Sequence, residues 1–175
     1  MNSKIVKYEI WGLVFVCVAG TLGHFMYDLC RESAIIGAIC PVNESPWEHM
    51  KLLFFPTLIY TVFEAYKLRQ DKFNVFFAKY AGVALAIWTS LSIYYTANGV
   101  LGKSVEFISI ASFYLAAVAG TALSYALISS SIGRGMPNGI SVGLMIATVV
   151  LFILFTFEPP LIPLFQDPTD LSYGI

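Results

Sequence analysis

Apolar runs separated by short polar breaks dominate the chain. Five of them, over about residues 10–27, 46–68, 73–95, 105–129 and 140–157, are long enough to be membrane helices. A hydrocarbon core about 30 Å thick takes roughly 20 apolar helical residues, and a helix satisfies its own backbone there. The pattern predicts an all-α membrane protein, a bundle of five transmembrane helices in one domain. The second run is the least regular. Its uncharged part is only LLFFPTLIYTVF, Leu52 to Phe63, and Pro56 within it is expected to bend the helix. Lys79 sits early in the third run, where its stem can lie along apolar surface while the ammonium reaches the interface.

Between the first two runs, SAIIGAICPV is too short to cross a bilayer and too apolar for a free loop. It predicts a short interfacial or re-entrant segment. After Phe157, Pro159, Pro160, Pro163 and Pro168 exclude a continuing helix and predict an extended outer tail over residues 158–175. SPWE, Ser45 to Glu48, has the form of a helix start: Ser45 as N-cap, Pro46 at the first helical position, and Glu48 placed to complete a capping box. Trp47 then fits an interfacial anchor. Gly12, Gly20, Gly23 and Gly120 fit close helix contacts.

Composition agrees with a membrane protein: 58% of the residues are hydrophobic and 12% charged. A net charge of −1 gives no basic surface for nucleic acid. Lys4 and Lys7 precede the first run as in a secretory signal, but no small-residue cleavage site follows, so a retained span is expected. Lys4, Lys7, Lys67, Arg69, Lys72, Lys79 and Arg134 fall on one side of the five-span layout, and Arg31, Lys51 and Lys103 on the other. Cytoplasmic loops are enriched in lysine and arginine. A multi-pass inner or plasma membrane protein with a cytoplasmic N-terminus and an extracytoplasmic C-terminus is expected.

The chemistry gathers at the outer ends of the first two runs. His24 and Asp28 lie one turn apart in GHFMYDLC, and His49 opens the second helix at the same depth. Ionisable groups near hydrocarbon face an interior or an aqueous cavity and have partners. His24, Asp28 and His49 are candidate ligands for a divalent transition metal such as zinc, with Glu44 and Glu48 as the candidate catalytic carboxylates. The bland reading is a structural tie between two helices, with Glu48 only a cap. Thr89, Ser92, Tyr95, Thr96, Asn98 and Glu106 could line the same cup or merely satisfy helix ends. Glu64 reads either as an exposed ion pair with Lys67 or, with Tyr60, as the inner part of a polar stripe across the membrane. Cys17, Cys30 and Cys40 have no metal-site spacing; Cys30 and Cys40 could pair in an oxidising compartment.

GHFMYDL, PVNESPWEHMKLLFFP with Glu64 downstream, and PPLIPLFQDP with the terminal YGI resemble a family of small bacterial integral membrane proteins of unknown function. The likeness covers both ends and the five-span layout; from Lys67 to Phe157 it is one of hydropathy alone. It implies a polytopic membrane protein and brings no activity or catalytic residues with it. Cys30 and Cys40 are outside the shared pattern.

Three functions remain open: a metal-dependent hydrolase acting on a lipid or its headgroup; a transporter or ion or proton conductor, with a homo-oligomer supplying missing walls; and a non-catalytic component whose polar cluster binds a partner or locks the bundle. In each the bilayer is a partner and a lipid or small molecule the candidate ligand.

Overall fold

A computed structural model describes residues 3–68, 74–103, 105–130 and 138–175. The apolar runs are helical: α1 (Ser3–Gly23), α4 (Pro46–Leu68), α5 (Val75–Leu101), α6 (Glu106–Ser129) and α7 (Asn138–Phe157). The short helices α2 (Met26–Leu29) and α3 (Ala34–Gly37) occupy the first connector. Arg69, Lys72, Phe73 and Arg134 lie outside the described residues.

The long helices alternate in direction. Tyr60 on α4 donates to the Tyr8 carbonyl on α1 at 2.7 Å, whereas Gly23 near the other end of α1 meets Leu52, so α1 and α4 are antiparallel. Ser124 and Tyr114 on α6 bond Glu9 and Thr21 of α1, again in opposite directions. Phe152 and Thr156 on α7 meet Phe54 and Glu48 of α4.

α1, α5, α6 and residues 139–157 of α7 are long and apolar enough to cross a membrane. Their outward faces carry exposed Trp11, Leu22, Trp88, Leu115 and Ile146. Apolar surface on that scale suits lipid rather than water. α4 has 23 residues but includes Glu48, Lys51 and Glu64, all buried. Its first half is buried against α1, α5 and α7, while its second half exposes Ile59, Val62, Phe63 and Tyr66. Its Leu53 and Phe54 form a core with Val16, Val83, Ala116 and Phe152.

Small residues set the close contacts. A methyl group on Gly82 would lie 2.6 Å from the Gly120 carbonyl, and one on Gly120 would lie 2.5 Å from the Gly82 carbonyl. Backbone meets backbone there, so α5 and α6 have no room for a side chain. At Gly20 an added methyl would lie 2.7 Å from the Leu52 carbonyl. Leu52 is four residues before Pro56, which has no N–H to give that carbonyl; α4 remains helical through the proline, and α1 covers the spot.

Several sequence expectations change. The first helix starts seven residues before the expected Ile10 and stops at Gly23, not Tyr27. Gly23 has poor helix propensity, and the chain turns at His24 and Phe25 before α2 begins. Asp28 is consequently not one helical turn beyond His24 on a continuous face. The tail is not extended: Gln166 and Tyr173 form an isolated antiparallel bridge, and the chain folds back on α4 and α7. Trp47 donates its backbone N–H to the Leu164 carbonyl at 3.0 Å, and the Ile175 N–H reaches the Thr156 carbonyl at 3.1 Å. The Trp47 ring sits among Phe152, Phe155 and Phe165, making it an anchor for the tail. Cys17, Cys30 and Cys40 are free thiols.

Candidate metal centre

SPWE does cap α4, but by half a capping box. Ser45 Oγ accepts the Glu48 N–H at 3.3 Å, while the Ser45 N–H goes to Asn43 Oδ1 at 3.0 Å. The Glu48 carboxylate is therefore free to turn inward. Its Oε2 accepts from the Val42 N–H at 3.0 Å and from Lys51 Nζ at 2.6 Å, and its Oε1 accepts from Thr156 Oγ1 at 3.0 Å. Lys51 is wholly buried. Its ammonium also donates to the Gly37 carbonyl at 2.7 Å and to Thr156 Oγ1 at 2.5 Å, so its three protons bind α3, α4 and α7 together. This pair is a structural clasp, and the lysine counted among outer loop charges is interior.

One helical step further round α4, His49 faces away from that clasp. His49 Nδ1 lies 3.0 Å from the Ser45 carbonyl. A carbonyl can only accept, so Nδ1 carries the hydrogen and Nε2 is the nitrogen turned toward Glu44; in the neutral ring it is the lone-pair nitrogen. Nε2 is 3.4 Å from Glu44 Oε2, so a cation or a proton is needed between the two atoms. His24, in the turn after α1, brings its Nε2 to 3.7 Å from Glu44 Oε1. The two imidazole centroids are 5.2 Å apart. One ligand atom from each of His24, Glu44 and His49 lies within 4.8 Å of the others. Side-chain exposures of 31% for His24, 34% for His49 and 49% for Glu44 leave the group reachable from solvent.

The tail completes the site. Asp167 Oδ2 accepts the Glu44 N–H at 2.8 Å, and the Gly174 carbonyl accepts from Asn43 Nδ2 at 3.3 Å. Gly174 has φ +60° and packs where a methyl would be 2.5 Å from the Thr156 carbonyl, so both its conformation and its contact require glycine. Burial alone would raise the Asp167 carboxyl, but hydrogen bonds from Thr169 and from the N–H groups of Glu44 and Asp170 hold it below the usual aspartate value of 3.8. A depressed folded value means that the docking is at full strength above that usual value and is lost as pH falls through the lower folded one. Hydrogen exchange at Glu44 and across the tail, corrected for the intrinsic rate, is expected to stay protected down to pH 3.8 and to open only below it. In Asp167→Asn the same amides are expected to exchange faster throughout.

Thus the structure joins both histidines with Glu44, which sequence reasoning had placed among the catalytic carboxylates. Asp28 is exposed and outside the group, and Glu48 is committed to Lys51. Glu106 is not in that group of ligands.

A second polar centre lies toward the other end of α4. Lys79 Nζ is 2.8 Å from Glu9 Oε2 and 2.8 Å from Glu64 Oε2, with all three residues buried. Lys79 is therefore held by two acids inside the protein rather than reaching out alone, and Glu64 pairs with it and not with Lys67, whose ammonium sits over the Phe63 and Tyr66 rings. Glu9 was missed because the first span was begun at Ile10. The buried face Ile5, Glu9, Gly12, Val16 and Gly20 has helical spacing and carried the signal.

Residues 1–175 match a family described as a family of unknown function, DUF6512. The chain belongs to that family. The match includes every segment that builds the histidine site: the end of α1, the PVNES turn, the start of α4 and the tail. No curated protein and no solved structure matches the chain. DUF6512 membership thus carries no activity, and function has to be argued from the side chains.

Proposed function

We propose that this protein is a metal-binding membrane protein that holds a divalent transition metal such as zinc between His24 Nε2, His49 Nε2 and the Glu44 carboxylate. The observation that carries the reading is His49 Nε2 aimed at Glu44, with the ring oriented by the hydrogen bond between Nδ1 and the Ser45 carbonyl. Two acceptors face one another stably only with a cation or a proton between them. A histidine whose other nitrogen is tied to a carbonyl is the usual arrangement of a metal ligand. Two imidazoles and a carboxylate form a ligand set known for zinc, with the fourth position left to water or a ligand. An anionic oxygen of a lipid headgroup or of a small molecule fits that open position.

Hydrolysis built on Glu48 has less support, since both its oxygens are occupied by Lys51, Thr156 and Val42. The reading therefore stops at metal binding. In the same proposal α4 is a fifth span whose charged residues are shielded by its neighbours, and the N-terminus is cytoplasmic. With Lys51 and Lys79 removed from the loop count, Lys4, Lys7, Lys67, Arg69, Lys72 and Arg134 stand against Arg31 and Lys103, which sharpens the bias. The polar mouth then opens at the outer leaflet of a plasma or inner membrane.

Metal analysis after equilibration with zinc and removal of free ion tests the reading. Wild-type protein is expected to retain one zinc per chain, and His24→Ala/His49→Ala to retain almost none while keeping its melting temperature. Equal zinc in both proteins would overturn it.

A further inference from the structure

Glu9, Lys79 and Glu64 bring two carboxylates and one ammonium into the buried interior between α1, α4 and α5, where net charge is costly. The two carboxylates are not equivalent. Glu9 is fully engaged: Oε1 accepts from Ser124 Oγ at 2.8 Å and Oε2 from Lys79 Nζ at 2.8 Å. Glu64 has no exposed surface, and neither of its oxygens has a hydrogen-bond donor in good geometry, although Oε2 lies 2.8 Å from the same ammonium. A buried carboxylate left in that state is strongly disfavoured, and one proton on it brings the triad to zero net charge.

The surroundings also provide a place for that proton to come from. A cavity of about 30 Å³ reaches the triad at Lys79 and is lined also by Tyr60 and Ser124, with Thr57 and Thr121 adding hydroxyls. A water needs roughly 10–15 Å³ of such space and two or more polar partners, so the cavity can hold water. The charged and titratable groups near Glu64 are Glu9 on α1, Tyr60 on its own helix and Lys79 on α5; Ser124 on α6 bonds Glu9, and the Tyr8 carbonyl bonds Tyr60. The Tyr60 hydroxyl donates to the Tyr8 carbonyl at 2.7 Å, which leaves its oxygen as an acceptor toward the cavity.

We propose that Glu64 is a proton-binding site inside the bundle, loading and releasing one proton through the water-sized cavity beside Lys79. The O–H bond forms on the Glu64 carboxylate, the proton comes from water by way of Lys79, the triad member that lines the cavity, and release returns it to water, so no other reactant is consumed. Glu9 remains ionised as the partner of Lys79 in both states. The site is roughly 22 Å from His49 along α4, at about 1.5 Å per residue, and does not depend on metal binding there.

Infrared difference spectra of the protein in phosphatidylcholine vesicles, recorded between alkaline and mildly acidic pH, test this. The wild type is expected to gain the carbonyl band of one protonated carboxyl, and the band is expected to shift when glutamate is labelled with carbon-13. It is expected to vanish in Glu64→Gln and to persist in Glu106→Gln, which changes an exposed residue. Should Glu64→Gln fail to fold, Glu64→Asp keeps a carboxyl and is expected to move the band. Absence of the band from labelled wild type at every pH, or its persistence unshifted in the Glu64 variants, would overturn the proposal.

Discussion

Lys51→Met is expected to destabilise the folded protein by about 3–5 kcal/mol, the usual loss when one member of a buried ion pair is removed. Lys51 has no exposed surface, and its ammonium donates to Glu48, Thr156 and the Gly37 carbonyl. Methionine fills similar space but leaves the Glu48 carboxylate buried with only the Val42 N–H and the Thr156 hydroxyl as donors. It also frees the Gly37 carbonyl, so the loop that bears Glu44 loses a tie to α4. Reversible unfolding in mixed micelles measures the loss. Lys51→Met/Glu48→Gln is expected to recover a large part of it, because the double variant strands no charge. A single-variant loss of less than about 1 kcal/mol, the scale of an exposed pair, would mean that the clasp does not form.

Lys79→Met is expected to cost as much or more, since one lysine serves two carboxylates. Glu9 and Glu64 would remain facing each other without a cation and would have to take up protons to stay buried. The unfolded chain holds those protons only near or below the ordinary glutamate range, about pH 4.3. The folded variant thus binds more protons than the unfolded one at neutral pH, and its stability falls as pH rises. Unfolding midpoints of the variant at mildly acidic and alkaline pH are expected to separate by much more than those of wild type. Equal separation would show that the ammonium does not compensate the two acids.

What the sequence made legible follows from how local the physics was. The start of α4 was readable because Ser45, Pro46 and Glu48 act on one turn, and the observed helix has the expected bounds, Pro46–Leu68. The meeting of His24 and His49 followed from depth alone, as both lie at the same end of antiparallel helices. Asp28 was misplaced because a glycine and a turn ended α1 before it, and helical spacing has no meaning across a break. Glu44 became the bridging acid through Asp167, 123 positions away, whose side chain fixes the Glu44 backbone. No local pattern could supply that contact. Lys79 read as an interfacial lysine because snorkelling needs no partner, whereas its burial depends on two acids from other helices.

The metal centre is tested most directly by cobalt substitution. Cobalt(II) added to the wild type is expected to give the intense visible absorption of a low-coordinate nitrogen and oxygen site, saturating at one ion per chain and competed away by zinc. In His24→Gln/His49→Gln, shown to be folded by its melting temperature, only the faint spectrum of hydrated cobalt is expected. A wild type that shows only the hydrated ion, or a double variant with the same intense spectrum, would contradict a metal held by His24, Glu44 and His49.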